Sequence, residues 1–288
     1  MGLFDFFKKE TKPDKQEEDT VENVPQMLYA KLLFADEIQL DKERIVAELR
    51  KEFKNFEEAD NLERTLLYIF SDYVFDYQDG GVPAQGALFM AEDSTFDPQS
   101  VAVALTQSWH WPEAADVIKT CKQECLVTDF MSRGLDYEKR VEYFQKFLSA
   151  LIKATKPQAV YFTQSDKLVE PFAYVFALAE EEPDVLNGLV NVRFFNVANS
   201  TEEEMFVDTL GLHSLGLPDF QIRFRDFEPN EVVGKLWSYA NYIYQNGAVI
   251  EPGNTIQGLS VNDKWTCYYA DAAVAPTRIV IDLETQAS

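Results

Sequence analysis

The hydrophobic patterning of the chain predicts an α+β fold, with mainly antiparallel or mixed sheets, helices packed on them, and two α+β halves of similar style. Three observations predict it. Strand-like segments come in adjacent pairs, at 66–77 and 86–91 and again at 205–210 and 220–224, and do not alternate strictly with helices. Long segments at 41–53, 136–154 and 229–245 carry apolar residues at helical spacing. The residues are 46% hydrophobic, with 22 Phe and 13 Tyr, enough to fill the core of a 288-residue chain. A doubly wound α/β fold would need a more regular strand-helix rhythm.

Taken in order, residues 1–9 form a short apolar-basic tag, and the charged run 10–24, which contains Pro13, reads as a linker. The folded part starts near Pro25. Residues 27–35 read as a strand, followed by the helix 41–53 with Ile45, Val46, Leu49 and Phe53 on one side. The paired strands 66–77 and 86–91 flank a turn at Asp79-Gly80-Gly81. Helices are expected from Pro98 and from Pro112, then a strand at 125–131. Residues 136–154 make the strongest helix, with Val141, Phe144, Phe147, Leu148, Leu151 and Ile152 in one stripe. This closes an N-terminal subdomain, 25–156. The C-terminal subdomain, 157–288, reads as a strand at 159–163, a helix at 168–179, strands at 189–197, 205–210 and 220–224, the helix 229–245, and strands at 265–270 and 278–283.

One pattern recurs at helix starts: an apolar residue, an acid, and a second apolar residue five positions after the first. It appears as Leu40-Asp41 with Ile45, Phe96-Asp97 with Val101, and Phe227-Glu228 with Val232. The acid suits the unpaired amides of the first turn, and the flanking apolar pair staples the entry. The first two copies share an upstream stretch, Phe34-Ala35-Asp36-Glu37 and Met90-Ala91-Glu92-Asp93, which duplication and convergence on a good helix start explain equally well.

Charge narrows the function. With 49 acidic against 26 basic residues the net charge is −23, whereas phosphate backbones are bound through Lys and Arg. Nucleic acid is not expected as a partner; a basic protein partner meeting an acidic surface stays open, beside the plainer reading that the acidity keeps an intracellular protein soluble. Three cysteines make no disulfide framework and point to a reducing compartment. No apolar run approaches the length that spans a bilayer. Lys8 and Lys9 follow the apolar residues of the tag, the reverse of a signal peptide, and Phe6 stands where myristoylation favours Ser or Thr. A cytoplasmic location is expected, with no integral membrane segment.

Candidate chemistry fails on spacing. Leu212-His213-Ser214-Leu215-Gly216 lies close to the Gly-x-Ser-x-Gly elbow of hydrolases, but Leu212 stands where the turn needs Gly, and both histidines precede the serine. Cys121 and Cys125 are a lone half-site for zinc, and the acids at 36–37, 92–93 and 97 lack the rhythm of a calcium loop. Glycine-rich nucleotide cradles are absent. No catalytic residue, metal or cofactor is assigned. Trp109-His110-Trp111 reads as a loop capping the core between two helices.

The most informative region is 208–219, where Gly211, Gly216 and Pro218 shape a connection between two strands. Its residues Asp208-Thr209-Leu210-Gly211-Leu212 and Gly216-Leu217-Pro218-Asp219, the helix containing Tyr242, and Gly253-Asn254-Thr255 resemble the bacterial family called domain of unknown function 4261, over roughly 185–260. That resemblance implies a domain and supplies no mechanism. If a binding site is present, Thr209, His213, Asp219 and Thr255 are its candidate polar groups; the competing reading makes them turn caps. The expected function is a non-enzymatic interaction protein, regulatory or immunity-like, and the alternative is an enzyme or ligand binder using the 208–219 loop.

Overall fold

The computed structural model describes residues 27–59, 64–78, 80–197 and 204–285. The apolar-basic tag and linker expected at 1–24, and Asp79 of the expected turn, lie outside the described residues. The described chain is α+β, with two sheets and helices packed on them. It divides into two compact units: one of residues 27–194 with 209–211, the other of 195–208 with 212–285.

The larger unit is built on a seven-stranded antiparallel sheet. In chain order its strands are β1 (Tyr29–Phe34), β2 (Phe56–Glu58), β3 (Thr65–Tyr77), β4 (Gly80–Phe89), β5 (Gln123–Thr128), β6 (Ala159–Phe162) and β7 (Lys167–Val169). In space they run β2-β3-β4-β5-β1-β6-β7. Helices α1 (Lys42–Glu52) and α4 (Tyr137–Thr155) pack on each other, and α4 buries the stripe seen in the sequence. Its Tyr143 and Phe147 rings lie 5.2 and 5.6 Å from Phe70 of β3, in edge-on contact. Gly86 of β4 lets them approach, because a Cβ there would stand 2.7 Å from both. A second cluster gathers Phe96, Val101, Trp111 and Ile118 around Leu33, Ala159 and Leu168. It is carried by a 3-10 turn at Pro98–Val101 and the short helices α2 (Ala102–Thr106) and α3 (Ala114–Thr120).

Most helix starts follow the expected chemistry. Asp41, Asp97 and Asp136 each accept a hydrogen bond from a backbone N–H of the first turn, at 3.0 Å. Glu228 precedes its helix without such a bond, and the Phe227 before it packs on Phe224 and Trp265, at 6.1 Å from each ring.

Two segments differ from expectation. Strand β4 begins at Gly80, six residues early, and runs through Pro83. Pro83 sits opposite Val74, beside a shift of register between Phe70 and Val74, where an interrupted ladder tolerates the missing N–H. The helix expected at 168–179 opens with β7 instead. Helix α5 (Pro171–Leu178) starts only at Pro171, with the Glu170 carboxylate capping the Ala173 N–H, because proline fits the first helical turn.

The smaller unit holds most of a second, mixed sheet, which comprises β8 (Asn191–Asn196), β9 (Met205–Leu210), β10 (Asp219–Phe224), β11 (Thr255–Gln257), β12 (Lys264–Asp271) and β13 (Ile279–Thr285), in the order β11-β12-β13-β10-β9-β8. β10 and β13 are parallel; β9 with β10, β11 with β12, and β12 with β13 are antiparallel. Helix α6 (Pro229–Asn246) covers one face through Tyr239, whose ring lies 5.6 Å from Phe220 and 6.3 Å from the fully buried Trp265.

Candidate functional site

The register of the second sheet sorts its side chains before any contact is considered. Successive residues of a strand face opposite ways. Phe220 and Ile222 of β10 stand beside Ile281 and Leu283 of β13, on the face that α6 covers. Asp219 and Gln221 therefore face the other way, beside Val280 and Asp282, and Asp208 of β9 lies opposite Gln221. Arg278, two residues before Val280, continues the same alternation. One face of the sheet thus collects three aspartates, a glutamine and an arginine.

These groups form a buried network. The Arg278 guanidinium donates from Nε to Asp219 Oδ2 (3.1 Å) and from Nη2 to Asp208 Oδ2 (2.8 Å). Its Nη1 donates to the carbonyls of Val274 and Pro276, both at 2.9 Å. Both carboxylates and the guanidinium are buried. Asp219 is further saturated by the loop that precedes it. Its Oδ1 accepts from the Leu212 N–H (3.1 Å), while Oδ2 accepts from the His213 N–H (3.4 Å) and from His213 Nδ1 (2.9 Å). Nearby, Gln221 Oε1 accepts from the Ala273 N–H at 2.9 Å. Burial raises the Asp282 carboxyl above its ordinary range, partly offset by a hydrogen bond from Gln221 and the charge of Arg223.

The backbone of the 211–218 connection explains why it needs glycine. Gly211 has φ +137, and a Cβ there would stand 2.0 Å from the Leu189 carbonyl oxygen. Gly216 has φ +79 and follows the 3-10 turn Leu212–Leu215. The Gly216 N–H donates to His213 O and the Leu217 N–H to Leu212 O, both at 3.1 Å.

Of the four residues marked from the sequence, two come together. His213 and Asp219 are directly bonded. Thr209 is buried in β9, adjacent in the strand to Asp208 and therefore directed to the opposite face. Thr255 is exposed at the start of β11, paired with Thr266. Two strands separate β11 from β10, and Thr255 pairs with Thr266 while Asp219 is level with Ala270, four residues further along β12, which places Thr255 roughly 19 Å from Asp219. The centre of the network, Arg278, was not marked by sequence reasoning. The available signal was a cation placed just ahead of the apolar run Ile279-Val280-Ile281 in a chain poor in cations.

The remaining sequence motifs take structural places. Cys125 is buried in β5 and Cys121 ends α3. Burial pushes the Cys121 and Cys267 thiols up to about 11, and Cys125 further still. Trp111 belongs to the second core cluster of the larger unit while Trp109 is exposed, and His110 Nε2 lies 2.9 Å from the Leu168 carbonyl. Burial, with the nearby charge of Lys167, holds His110 below its ordinary range. Among the described residues no three His, Cys, Asp or Glu side chains are grouped to hold a metal ion. No helix among them is long and apolar enough to cross a membrane.

No curated protein and no solved structure matches the chain. A family match does exist, and its span bears on the network: it starts at Asp208 and ends after Arg278, so that all four charged or ionisable members fall inside it. Compared with the stretch expected from sequence, it begins later and takes in β12 and β13 to Glu284. Residues 208–284 match the family model described as Domain of unknown function (DUF4261).

Proposed function

We infer that the protein is a non-enzymatic interaction protein of the cytoplasm, regulatory or immunity-like, which meets a basic protein partner through its acidic surface. The observation that supports this is the use to which the polar centre is put. Asp219 takes four donors and Arg278 reaches four acceptors, all supplied by this unit's own loops and strands. The network therefore reads as a brace. The excess of negative charge, in contrast, lies outside: Asp36, Glu37, Glu92, Asp93 and Glu180-Glu181-Glu182 are exposed. Such a field steers a cationic partner and is screened by salt. Capture with the tagged full chain at low and at high ionic strength tests it. A partner retained only at low ionic strength is expected, and the absence of any salt-sensitive partner refutes the reading.

One observation favours a second reading, a small-ligand binder or enzyme using the 208–219 loop. The bond between His213 Nδ1 and the Asp219 carboxylate puts the ring proton on Nδ1, so a neutral ring offers Nε2 as an acceptor, and the side chain is 17% exposed. His213→Ala then abolishes a ligand-induced rise in melting temperature while the fold is retained. If no compound library shifts the melting of the wild type, this reading falls.

A further inference from the structure

One strand in the sheet of the larger unit outruns its neighbours. β3 is 13 residues long, yet β2 pairs only with its Tyr68, Ile69 and Phe70. The chain at 54–55 covers the next two positions: Asn55 O accepts from the Ser71 N–H, and the Asp72 carboxylate accepts from the Lys54 and Asn55 amides. Beyond them, among the described residues, 74–77 pairs with β4 alone. β4 in turn meets β5 only over 87–89, so 74–77 and 80–83 form a two-stranded arm. Its inner face is anchored. The Tyr73 ring lies 5.3 Å from that of Tyr143, and Phe75 packs over Gly134, where a Cβ would stand 2.1 Å from the ring. Val74 and Tyr77 are 51% and 57% exposed, and Asp76 is exposed as well.

The two edges of this arm are unlike. In an antiparallel ladder, pairs that exchange hydrogen bonds alternate with pairs that do not. Pro83 has no N–H and lies opposite Val74, which suits a pair of the second kind. The alternation then makes Phe75 with Val82 a bonded pair and Asp76 with Gly81 a non-bonded one. Residues of a non-bonded pair turn their N–H and C=O away from the partner strand. Val74 and Asp76 therefore direct theirs to the outer edge of β3, whereas the opposite edge of the arm receives Pro83, which has no donor. Proline blunts one edge, and the other keeps a ladder of four residues, about 13 Å.

Charge selects the occupant. Strand edges are commonly guarded by charged side chains, and here the guard is acidic. Asp76 stands on the open stretch, Asp72 at its start, and Glu57 and Glu58 are exposed on β2 ahead of it. Hydrogen bonds from Asn55 hold the Asp72 carboxyl below its ordinary range, with Lys54 as the cation beside it. A second copy of the chain would bring the same acids, and like charges set opposite each other destabilise a strand pair. An extended segment with Lys or Arg at alternate positions meets no such penalty and gains from the same charges.

We propose that the outer edge of β3 at 74–77 accepts an extended, basic segment of a protein partner as an added strand. This rests on the interaction reading above and gives that reading a surface. The partner's backbone bonds to Val74 and Asp76, and its cationic side chains lie on the face that carries Asp76.

A short peptide alternating Lys and Val, added to the full chain, is the probe, and hydrogen exchange resolved to single amides is the readout. At about 90% occupancy, exchange of the Val74 and Asp76 amides slows about tenfold, while Phe75, already bonded to β4, is unchanged. High ionic strength removes the effect, and Asp76→Lys, a change at an exposed position, abolishes it. The same peptide N-methylated at its lysines keeps its charge but loses the donors that face Val74 and Asp76, and it gives no protection. Equal protection by the methylated peptide, or no protection at 74 and 76, overturns the proposal. Protection without peptide that grows with protein concentration assigns the edge to a second copy and overturns it too. In the capture experiment above, a salt-sensitive partner held equally by wild type and Asp76→Lys overturns the edge alone. The absence of any such partner overturns the interaction reading and the partner proposed here with it.

Discussion

Replacing Arg278 by methionine is the sharpest test of the buried network. Methionine keeps much of the apolar stem and removes the only cation bonded to both Asp208 and Asp219 in the network described above. Both carboxylates are at most 1% exposed, so neither is compensated by water. Removing one partner of a buried ion pair costs about 3–5 kcal/mol, and two carbonyls, of Val274 and Pro276, lose donors as well. Native-state hydrogen exchange at the amides of β10 and β13 reads that cost in the smaller unit alone. At about 1.4 kcal/mol per factor of ten, exchange accelerates by about 10²-fold to a few thousand-fold. Arg278→Lys keeps the charge without the planar fork and falls between the two. Asp208→Asn combined with Arg278→Met recovers part of the loss, because only one unpaired carboxylate remains. In the methionine variant the two acids face each other, so the folded state binds a proton more readily than the unfolded state does. Its deficit therefore shrinks as pH falls from about 7 to about 5. Exchange within threefold of wild type in Arg278→Met would falsify the view that the network braces this unit.

Three further outcomes follow from the structure. Burial lowers the Lys167 ammonium to about 8, below its unfolded value of roughly 10.4. Above pH 8 the unfolded chain holds the extra proton, so this group's contribution to the stability of the larger unit rises with pH through that window; because the buried thiols titrate alike in both proteins, the urea midpoint of the wild type relative to Lys167→Met should climb from pH 7.5 through 8.5 to 9.5. With Cys121 and Cys267 at about 11, native alkylation at pH 8 should run at least 100-fold slower than in denaturant, and rapid labelling of the folded chain would contradict the burial of all three thiols. Gly211→Ala should prevent normal folding, since its Cβ would meet a backbone oxygen, whereas Gly247→Ala, at φ +78 with open space around it, should cost only about 1 kcal/mol; equal costs by thermal melting would refute the steric account.

What the sequence shows well is whatever depends on neighbours along the chain. The stripe of α4, the aspartates at 41, 97 and 136, and the glycine at 211 were legible because a helix period, a cap or a positive φ is set within a few residues. The three-residue strands β2, β7 and β11 contain too few residues to display an alternation, and they exist through the partner they pair with. Pro83 hid the first half of β4 for a related reason, because a proline is compatible with a strand only where the ladder is already broken. In the candidate site, His213 and Asp219 were visible as a close pair along the chain. Arg278 lies 59 residues from Asp219 and is brought to it by a pairing that no local pattern announces.

That distant pairing explains why the charges are placed where they are. β10 and β13 are parallel, and such strands cannot be joined by a tight turn; helix α6 and strands β11 and β12 intervene between them. Closing so long a loop costs conformational entropy before any ladder bond rewards it. A slip of one residue would turn Phe220 and Ile222 away from α6. Apolar contacts alone discriminate weakly against such a slip, because β13 offers Ile279, Val280 and Ile281 in succession. The Asp219–Arg278 bond sits at the start of the parallel pair, where Asp219 lies beside Val280. In a slipped register the guanidinium would face the wrong side of the sheet, leaving two buried carboxylates uncompensated. The network thus penalises the wrong pairing more than it stabilises the right one. Asp219 also fixes the preceding loop through the Leu212 and His213 amides, so the same residue that registers the sheet sets the position of His213.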